Sequence, residues 1–242
     1  MPAGITANSP RFSPDGQRIS FDYGDSNQDD SLAVVGRDGQ NLQVLADGCT
    51  TFCESAWHPT SGQIFFSRSD GVYSVAASGG TPSLVYDSFG SAESVDVSPD
   101  GQYLVFREFR PVLLKLSDST RKELSTQDNA YGIRFSPDGK KLVYLDFSTD
   151  SIRIRNLETD ETTTLIDTDN YLSSADWFPD GNQLAVITDD GIELFTLNGT
   201  AQPERKMLKS GFALKDVDVS PDGKSIAYCV NGQRSIYVLT DF

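Results

Sequence analysis

Few residues in the sequence could carry out chemistry. The chain of 242 residues has one histidine, His58, and three cysteines. A serine hydrolase of the α/β type requires a Gly-x-Ser-x-Gly motif with a histidine and an acid, and this motif does not occur. Soft ligands are too few for a four-ligand Cys/His zinc site. These counts predict that the protein is not an enzyme, and that His58, which directly precedes a proline, is a turn residue.

Oxygen ligands are more abundant, and one acidic segment has the spacing of a calcium loop. Asp25, Asn27 and Asp29 alternate along the chain as the first ligands of an EF-type loop do. Asp30 stands where such a loop has glycine, however, and Gly36 stands where it has its bidentate glutamate. Calcium at Asp25, Asn27 and Asp29 is therefore the one cofactor that the sequence leaves open, and a solvated hairpin loop is the alternative.

The cysteines leave two redox states open. Cys49 and Cys53 are four residues apart, and Cys229 lies in an apolar segment. A local disulfide between the first two is geometrically possible, and a reduced pair is equally consistent with the spacing. Cys229 would be a buried free thiol beside such a disulfide.

The charge of the chain restricts its partners. Thirty-five acidic residues against 20 basic ones give a net charge of −15, so the basic footprint that binds nucleic acid or an anionic membrane is missing. No apolar run reaches the roughly 18 residues of a membrane span, and the first residues lack the basic and apolar regions of a signal peptide. We therefore expect a soluble monomer that binds a protein or peptide of basic character, without nucleic acid and without insertion into a membrane.

A turn motif recurs six times, at spacings of 38 to 45 residues, and organises the whole chain. Its form is Ser-Pro-Asp-Gly, in which proline fixes φ, aspartate bonds to its own backbone and glycine accepts a positive φ. The second copy departs from this form, with Thr60 and Ser61 in place of aspartate. The six turn prolines are Pro14, Pro59, Pro99, Pro137, Pro179 and Pro221.

Strand patterns flank every turn. An apolar residue always stands two positions before the proline, a second apolar strand follows the turn, and two further strands precede the next copy. Four short strands in about 40 residues is the pattern of a β-propeller blade. The sequence predicts an all-β fold, a single six-bladed β-propeller domain over residues 1–242 with four antiparallel strands per blade. Residues 1–7 are predicted to supply the fourth strand of blade six, which would close the ring.

The repeated Ser-Pro-Asp-Gly motif, followed by Lys or Gln, any residue, and Leu or Ile, resembles the WD-like repeat of TolB-type propellers and of prolyl-oligopeptidase-type propellers. The resemblance covers nearly the whole chain and is specific for fold rather than for function. The domain that precedes the propeller in TolB and the hydrolase domain of the peptidases are not in this sequence. Resemblance to the TolB type implies a periplasmic or secreted setting and a protein partner.

Charged residues recur three positions before the turn prolines, on the innermost strands. They are Arg11, Asp96, Arg134, Asp176 and Asp218. Because unpaired charge between blades or near the channel axis is costly, we expect structural ion pairs among them. From their order around the ring, Arg134 is predicted to pair with Asp96 and Asp176, and Arg11 with Asp218. A ligand-binding role for the channel is the alternative.

Each connection between blades carries an aromatic residue, and these connections share one face of a propeller with the loops between second and third strands. The aromatics of this loop face are Phe52, Phe89, Tyr131, Tyr171 and Phe212 in the connections, and Phe109 and Phe147 in the loops. Aromatic rings supply anchor area, and the carboxylates of residues 25–30 would steer a basic partner. We therefore predict a non-catalytic scaffold that binds a protein or peptide on this face. Aromatic rings that only fill the gaps between blades would give the same pattern. Two other functions are also open: a propeller that assists an enzyme, for example by gating the substrates of a peptidase, and a propeller that binds carbohydrate.

Overall fold

The computed structural model shows an all-β protein, and the six-bladed β-propeller predicted from the repeats is confirmed. The structure describes residues 5–25, 30–49, 53–88, 92–124, 129–167, 173–199, 203–233 and 235–242. Within this part of the chain, no helix is long and apolar enough to cross a membrane.

Six antiparallel sheets form the blades, each from strands that are consecutive in the chain. Blade one contains β1 (Ile5–Phe12), β2 (Arg18–Asp25), β3 (Asp30–Gly36) and β4 (Gln43–Cys49). Blade two contains β5 (Ser55–Trp57), β6 (Gln63–Arg68), β7 (Gly71–Ala76) and β8 (Ser83–Asp87). Blade three contains β9 (Glu93–Val97), β10 (Tyr103–Arg107), β11 (Pro111–Lys115) and β12 (Arg121–Glu123).

The second half of the chain repeats this order. Blade four contains β13 (Ala130–Phe135), β14 (Lys141–Asp146), β15 (Ser151–Asn156) and β16 (Thr162–Asp167). Blade five contains β17 (Ser174–Trp177), β18 (Gln183–Thr188), β19 (Gly191–Thr196) and β20 (Glu204–Ser210). Blade six contains β21 (Leu214–Val219), β22 (Ser225–Val230) and β23 (Ile236–Thr240).

The second strand of each blade is apolar along most of its length because neighbouring blades pack on both of its faces. In β14 and β18 every residue after the first is buried. Phe21, Phe66 and Phe106 stand seven residues after their turn prolines, and all three are completely buried. Each such ring contributes about 1.5–3 kcal/mol through burial, so the core lies between the blades.

The turns between the first and second strands form as their residue types predict. In the first copy, Ser13 Oγ donates a hydrogen bond to Asp15 Oδ1 at 2.5 Å, and the Gly16 N–H donates to the Ser13 carbonyl at 2.7 Å. Gly16 adopts a φ of 67°, which a residue with a Cβ rarely adopts. The same serine–aspartate bond is 2.6 Å long in the third, fourth and sixth copies.

The second copy achieves the same end with a different side chain. His58 Nδ1 accepts hydrogen bonds from the backbone N–H groups of Thr60 and Ser61 at 3.2 and 3.1 Å. The imidazole therefore replaces the missing aspartate as the acceptor inside the turn. The prediction that His58 is a turn residue is confirmed.

The prediction that residues 1–7 complete blade six is wrong for residues 5–7, and residues 1–4 lie outside the described residues. β1 begins at Ile5, opposite Asp25 of β2, and its pairing with β2 resumes beyond a bulge that follows Asn8. Ala7 is completely buried in a cluster with Phe21. Because these contacts hold residues 5–7 on the innermost strand of blade one, they do not reach the rim of blade six. The sheet of that blade has three strands in the described part of the chain.

Candidate functional site

Arg11 lies in the central channel between carboxylates from two other blades. Its Nη2 is 2.6 Å from Oδ1 of Asp96, and its Nε is 3.2 Å from Oδ1 of Asp218. The three side chains are between 7% and 11% exposed. They converge because β1, β9 and β21 are the innermost strands of blades one, three and six. Arg11 and Asp218 thus form the pair expected from the sequence, and Arg11 also reaches Asp96 in a blade that is not its neighbour.

Arg134 requires a correction to the pairing expected from the sequence. Among the described residues it forms no ion pair with Asp96 or Asp176, and its Nη1 donates to the carbonyl of the adjacent Ile133 at 2.9 Å. The side chain is nevertheless buried. Order around the ring predicts contacts only between neighbouring blades, whereas the long Arg11 side chain spans the channel and pairs with Asp96 instead.

The aspartates of this inner ring also join each blade to the next. Their second carboxylate oxygen accepts a hydrogen bond from a backbone N–H of the following blade, at the residue two positions before its turn proline. These bonds run from Phe135 to Asp96 at 2.8 Å, from Val219 to Asp176 at 2.7 Å, and from Phe12 to Asp218 at 2.6 Å. A buried N–H without a partner is costly, so an aspartate at this position of the repeat stabilises the ring.

A second set of side chains lies five residues before the turn prolines, and sequence reasoning missed it. Asp216 Oδ2 accepts from the Ser9 N–H at 3.1 Å, and Ser94 Oγ accepts from the Gly132 N–H at 3.0 Å. These four residues have φ between 49° and 57°, the left-handed conformation of a bulge in the innermost strand. The fixed offset from the proline was the signal that could have found this set, whose members are Ser9, Glu54, Ser94, Gly132, Ser174 and Asp216.

Burial raises the pKa of the channel carboxyl groups. Desolvation raises the pKa of Asp96 to about 6, although the charge of Arg11 opposes the shift. Desolvation, with a contribution from Asp216, raises the pKa of Glu54 to about 7. The pKa values of Asp176 and Asp218 are raised for the same reason, again against the effect of Arg11. The channel therefore holds part of its carboxyl groups in the neutral form near neutral pH.

The channel geometry suits structural bonding better than ligand chemistry. In the described part of the chain, no group of three or more His, Cys, Asp or Glu side chains is arranged to hold a metal ion. The channel aspartates bond to backbone groups or to Arg11. For the calcium candidates, Asn27, Asp29 and the side chain of Asp25 lie outside the described residues, so calcium stays a prediction.

The loop face carries an aromatic and charged cluster where blades three and four meet. The ring centroids of Tyr131 and Phe147 are 4.5 Å apart, and the guanidinium carbon of Arg107 lies 4.0 Å from the Tyr131 centroid. Arg107 is fixed by Glu93 at 2.6 Å and by Asn129 Oδ1 at 3.2 Å. Tyr131 is half-buried and Phe147 is 48% exposed. We call these five residues the blade three–four cluster.

Two further predicted aromatics stand out in solvent. Phe109, in the β10–β11 loop, is 80% exposed, and Phe212, between blades five and six, is 85% exposed. Rings this exposed do not fill gaps between blades, whereas Tyr131 partly does. The other predicted aromatics, Phe52, Phe89 and Tyr171, lie outside the described residues.

The cysteines form the disulfide that the spacing left open. Cys49 and Cys53 are bonded across the connection from blade one to blade two, and both are buried. Cys229 is a buried free thiol in β22, and burial raises its pKa. A thiol held in the neutral form is a poor nucleophile, so Cys229 acts as a packing residue.

Comparison with known proteins shows the fold and no family. No family model and no curated protein matches the sequence. Among solved structures, a chain of the mitotic checkpoint complex has a TM-score of 0.72 at 14% identity, covering 100% of this chain and 76% of that one. A chain of the nidogen/laminin complex has a TM-score of 0.75 at 16% identity, covering 88% of this chain and 87% of that one.

TolB structures are also among the similar proteins. TolB from Acinetobacter baumannii has a TM-score of 0.68 at 17% identity over 84% of this chain, which spans 56% of that chain. A protein described as a TolB from Agrobacterium tumefaciens has a TM-score of 0.72 at 16% identity, covering 98% of this chain and 91% of that one. At such identities the likeness concerns the fold alone, and that fold is the β-propeller that this chain shares with the TolB structures.

Proposed function

We propose that this protein is a non-catalytic scaffold that binds a protein or peptide on its loop face. The observation that carries the proposal is the pair of almost fully exposed rings, Phe109 and Phe212, on the same face as the blade three–four cluster. Large apolar side chains are costly to leave in water and are the usual anchors of protein interfaces.

The chemistry of the described residues supports a role without catalysis. His58 accepts two backbone hydrogen bonds inside its turn, which leaves no histidine to act as a general base. The channel aspartates are committed to bonds between blades. Two of the structurally similar chains come from complexes of proteins, which supports a partner of this class.

Charge favours a basic segment as the partner. The chain carries a net charge of −15, and such a field accelerates the encounter with a cationic molecule at low ionic strength. Within the blade three–four cluster the charge of Arg107 is balanced by Glu93. The charges of this cluster therefore do not repel lysine or arginine.

The proposed setting is periplasmic or secreted. The Cys49–Cys53 disulfide supports it because disulfides persist mainly in oxidising compartments. Thiol alkylation of the protein isolated from its natural source, before and after reduction, tests this part. Two thiols that become reactive only after reduction are expected, and three reactive thiols without reduction would contradict it.

A library of displayed random peptides tests the binding site. We expect selected peptides to be rich in lysine and arginine and to lose about 2 kcal/mol of binding energy to the double variant Phe109→Ala/Phe212→Ala. Leu84→Ala is the matched control, because Leu84 is 52% exposed on the outer strand of blade two. Peptides that bind both variants as tightly as the parent protein would contradict the loop-face proposal.

A further inference from the structure

Arg134 is the only buried arginine or lysine among the described residues, and it has no carboxylate partner there. The side chains of Arg11, Arg107 and Arg155 are between 11% and 16% exposed, and each lies within 3.2 Å of a carboxylate oxygen. Arg134 is 7% exposed and donates only to the carbonyl of Ile133. A buried charge without a counter-charge is costly, so Arg134 differs from these three arginines in what it still requires.

The side chain of Arg134 leaves the backbone on the side of blade five. Arg134 is paired with Val143 across β13 and β14, so the two side chains lie on the same face of the blade. Val143 packs in a cluster with Ala175 and Trp177 of blade five. Because β13 is the innermost strand of blade four, Arg134 belongs to the interface between blades four and five where that interface borders the channel.

A second buried donor at this interface also has no partner. Within the described ranges, neither the indole N–H of Trp177 nor the Nε–H of Arg134 has an acceptor. Trp57 occupies the equivalent place between blades one and two, also two residues before a turn proline, and its indole N–H donates to the carbonyl of Arg11 at 3.1 Å. Buried tryptophan N–H groups usually have an acceptor. The two donors therefore indicate an acceptor that these blades do not supply themselves.

The repeat shows which acceptors are missing from the interface between blades four and five. After blades three, five and six, oxygens of the innermost strand accept hydrogen bonds from the next blade. They belong to Asp96, Asp176 and Asp218, three residues before the turn proline, and to Ser94, Ser174 and Asp216, five residues before it. Blade four has Arg134 and Gly132 at these two positions. Neither side chain can accept a hydrogen bond.

We propose that a small monovalent anion, chloride or a carboxylate of the size of formate, binds beside Arg134 between blades four and five. It accepts from the Nε–H of Arg134 and the indole N–H of Trp177, and it takes the place that an aspartate carboxylate has after blades three, five and six. The charge of the guanidinium selects an anion over a water molecule. Asp96 and Asp218 are already paired with Arg11, so their charges oppose the anion less than free carboxylates would.

Stability in chloride tests whether an anion binds. When chloride replaces gluconate at constant ionic strength, the urea midpoint of the parent protein should rise with chloride concentration, because the folded state alone binds the ion. Gluconate is too large to enter a closely packed interface. Formate in a parallel series separates the two ligands, since the preferred one acts at lower concentration.

Two variants connect this rise to the site. Arg134→Met should show no rise in chloride or formate. Arg110→Met is the matched control, because the side chain of Arg110 is 47% exposed, and it should respond as the parent protein does. A parent midpoint that is unchanged in both anions, or an equal rise in Arg134→Met, would overturn the proposal.

The two tryptophans of the chain allow a test in the parent protein itself. In proton–nitrogen correlation spectra, the indole signal of Trp177 should shift with the preferred anion until the site is saturated. The indole signal of Trp57, which is bonded to the carbonyl of Arg11, should stay constant, and Trp57→Phe assigns the two signals. A constant Trp177 signal, or equal shifts of both signals, would contradict the proposal.

Bromide locates the anion if chloride is the preferred ligand, and formate is located directly by its density. Crystals grown in bromide should show anomalous density within hydrogen-bond distance of Arg134 Nε. Water beside Arg134 in crystals grown in either anion, with the anion bound only elsewhere on the protein, would show that solvent alone satisfies the two donors and would overturn the proposal.

Discussion

Replacing Arg11 with methionine should be among the most damaging single changes in the channel. The guanidinium contacts Asp96 at 2.6 Å and Asp218 at 3.2 Å, and no side chain of the three is more than 11% exposed. Each contact is worth roughly 4 kcal/mol of attraction at an effective dielectric constant of about 20. Recovery of the desolvation cost of arginine offsets part of this, which leaves a net loss of about 3–5 kcal/mol.

The loss should depend on pH in a definite direction. Burial raises the pKa of Asp96 to about 6, although the positive charge of Arg11 lowers it. Below that pKa the carboxyl is neutral in the folded protein and has less need of a counter-charge. Urea unfolding should therefore show the full cost of Arg11→Met near about pH 8 and a smaller cost near about pH 5.

Arg134→Met is the control for burial of an arginine without an ion pair. Among the described residues Arg134 is buried but bonds only to a carbonyl, that of Ile133. We expect a loss of about 1–2 kcal/mol, the value of a buried hydrogen bond with its packing, and little change with pH. If Arg134→Met costs more than Arg11→Met, or if Arg11→Met costs less than about 1 kcal/mol, the channel network described above is incorrect.

Three further predictions concern stability. In the parent protein the pKa of Asp96 is about 6, against an ordinary value of 3.8. This raised pKa stabilises the folded protein at pH values below 3.8, and the stabilisation is lost as the pH rises through 6. The change is about 3 kcal/mol, and a urea midpoint that rises from pH 4 to pH 7 would contradict it. Replacing Cys49 and Cys53 together with serine should lower the free energy of unfolding by about 2 kcal/mol, because the disulfide closes only a short loop. The parent protein with its disulfide reduced is the control. Its thermal midpoint should equal that of the double variant if loss of the disulfide is the whole effect. Asp216→Ala should lower the free energy of unfolding by about 1–3 kcal/mol, because it leaves the Ser9 N–H without an acceptor. Asp216→Asn keeps an acceptor oxygen and should recover most of this stability. Equal losses in both variants would show that the charge of Asp216 matters rather than its hydrogen bond.

The architecture could be predicted because it is encoded locally and repeatedly. Most of the turns are specified by four adjacent residues. In the second copy, which lacks the aspartate, His58 supplies the acceptor for two backbone N–H groups of the turn. Strand positions follow from the same reference point, since the apolar residues have fixed offsets from each proline. Six copies therefore determine the number of blades even though each copy alone is a weak signal.

Two features could not be predicted because they depend on distant partners. Residues 5–7 have a pattern that suits an innermost or an outermost strand, and the burial of Ala7 against Phe21 decides between them. In the channel, the order of charges around the ring can be read from the sequence, but the carboxylate toward which each arginine side chain turns cannot. Arg11 crosses to Asp96, and Arg134 does not.

Electrostatics explains why the position three residues before the turn proline cannot be the same in every blade. An aspartate there bonds to the next blade, so six aspartates would complete the set of hydrogen bonds and place six negative charges around one channel. The chain instead has three aspartates, two arginines and one alanine at this position, Ala56, which leaves a net charge of −1. Blades one, two and four lack the aspartate that accepts a hydrogen bond from the next blade. With fewer negative charges in the channel, Asp96, Asp176 and Asp218 of blades three, five and six can accept these bonds while most of their charge is retained. The repeat therefore differs between copies where they meet at the axis, while the turns that begin two residues later along the chain stay nearly identical.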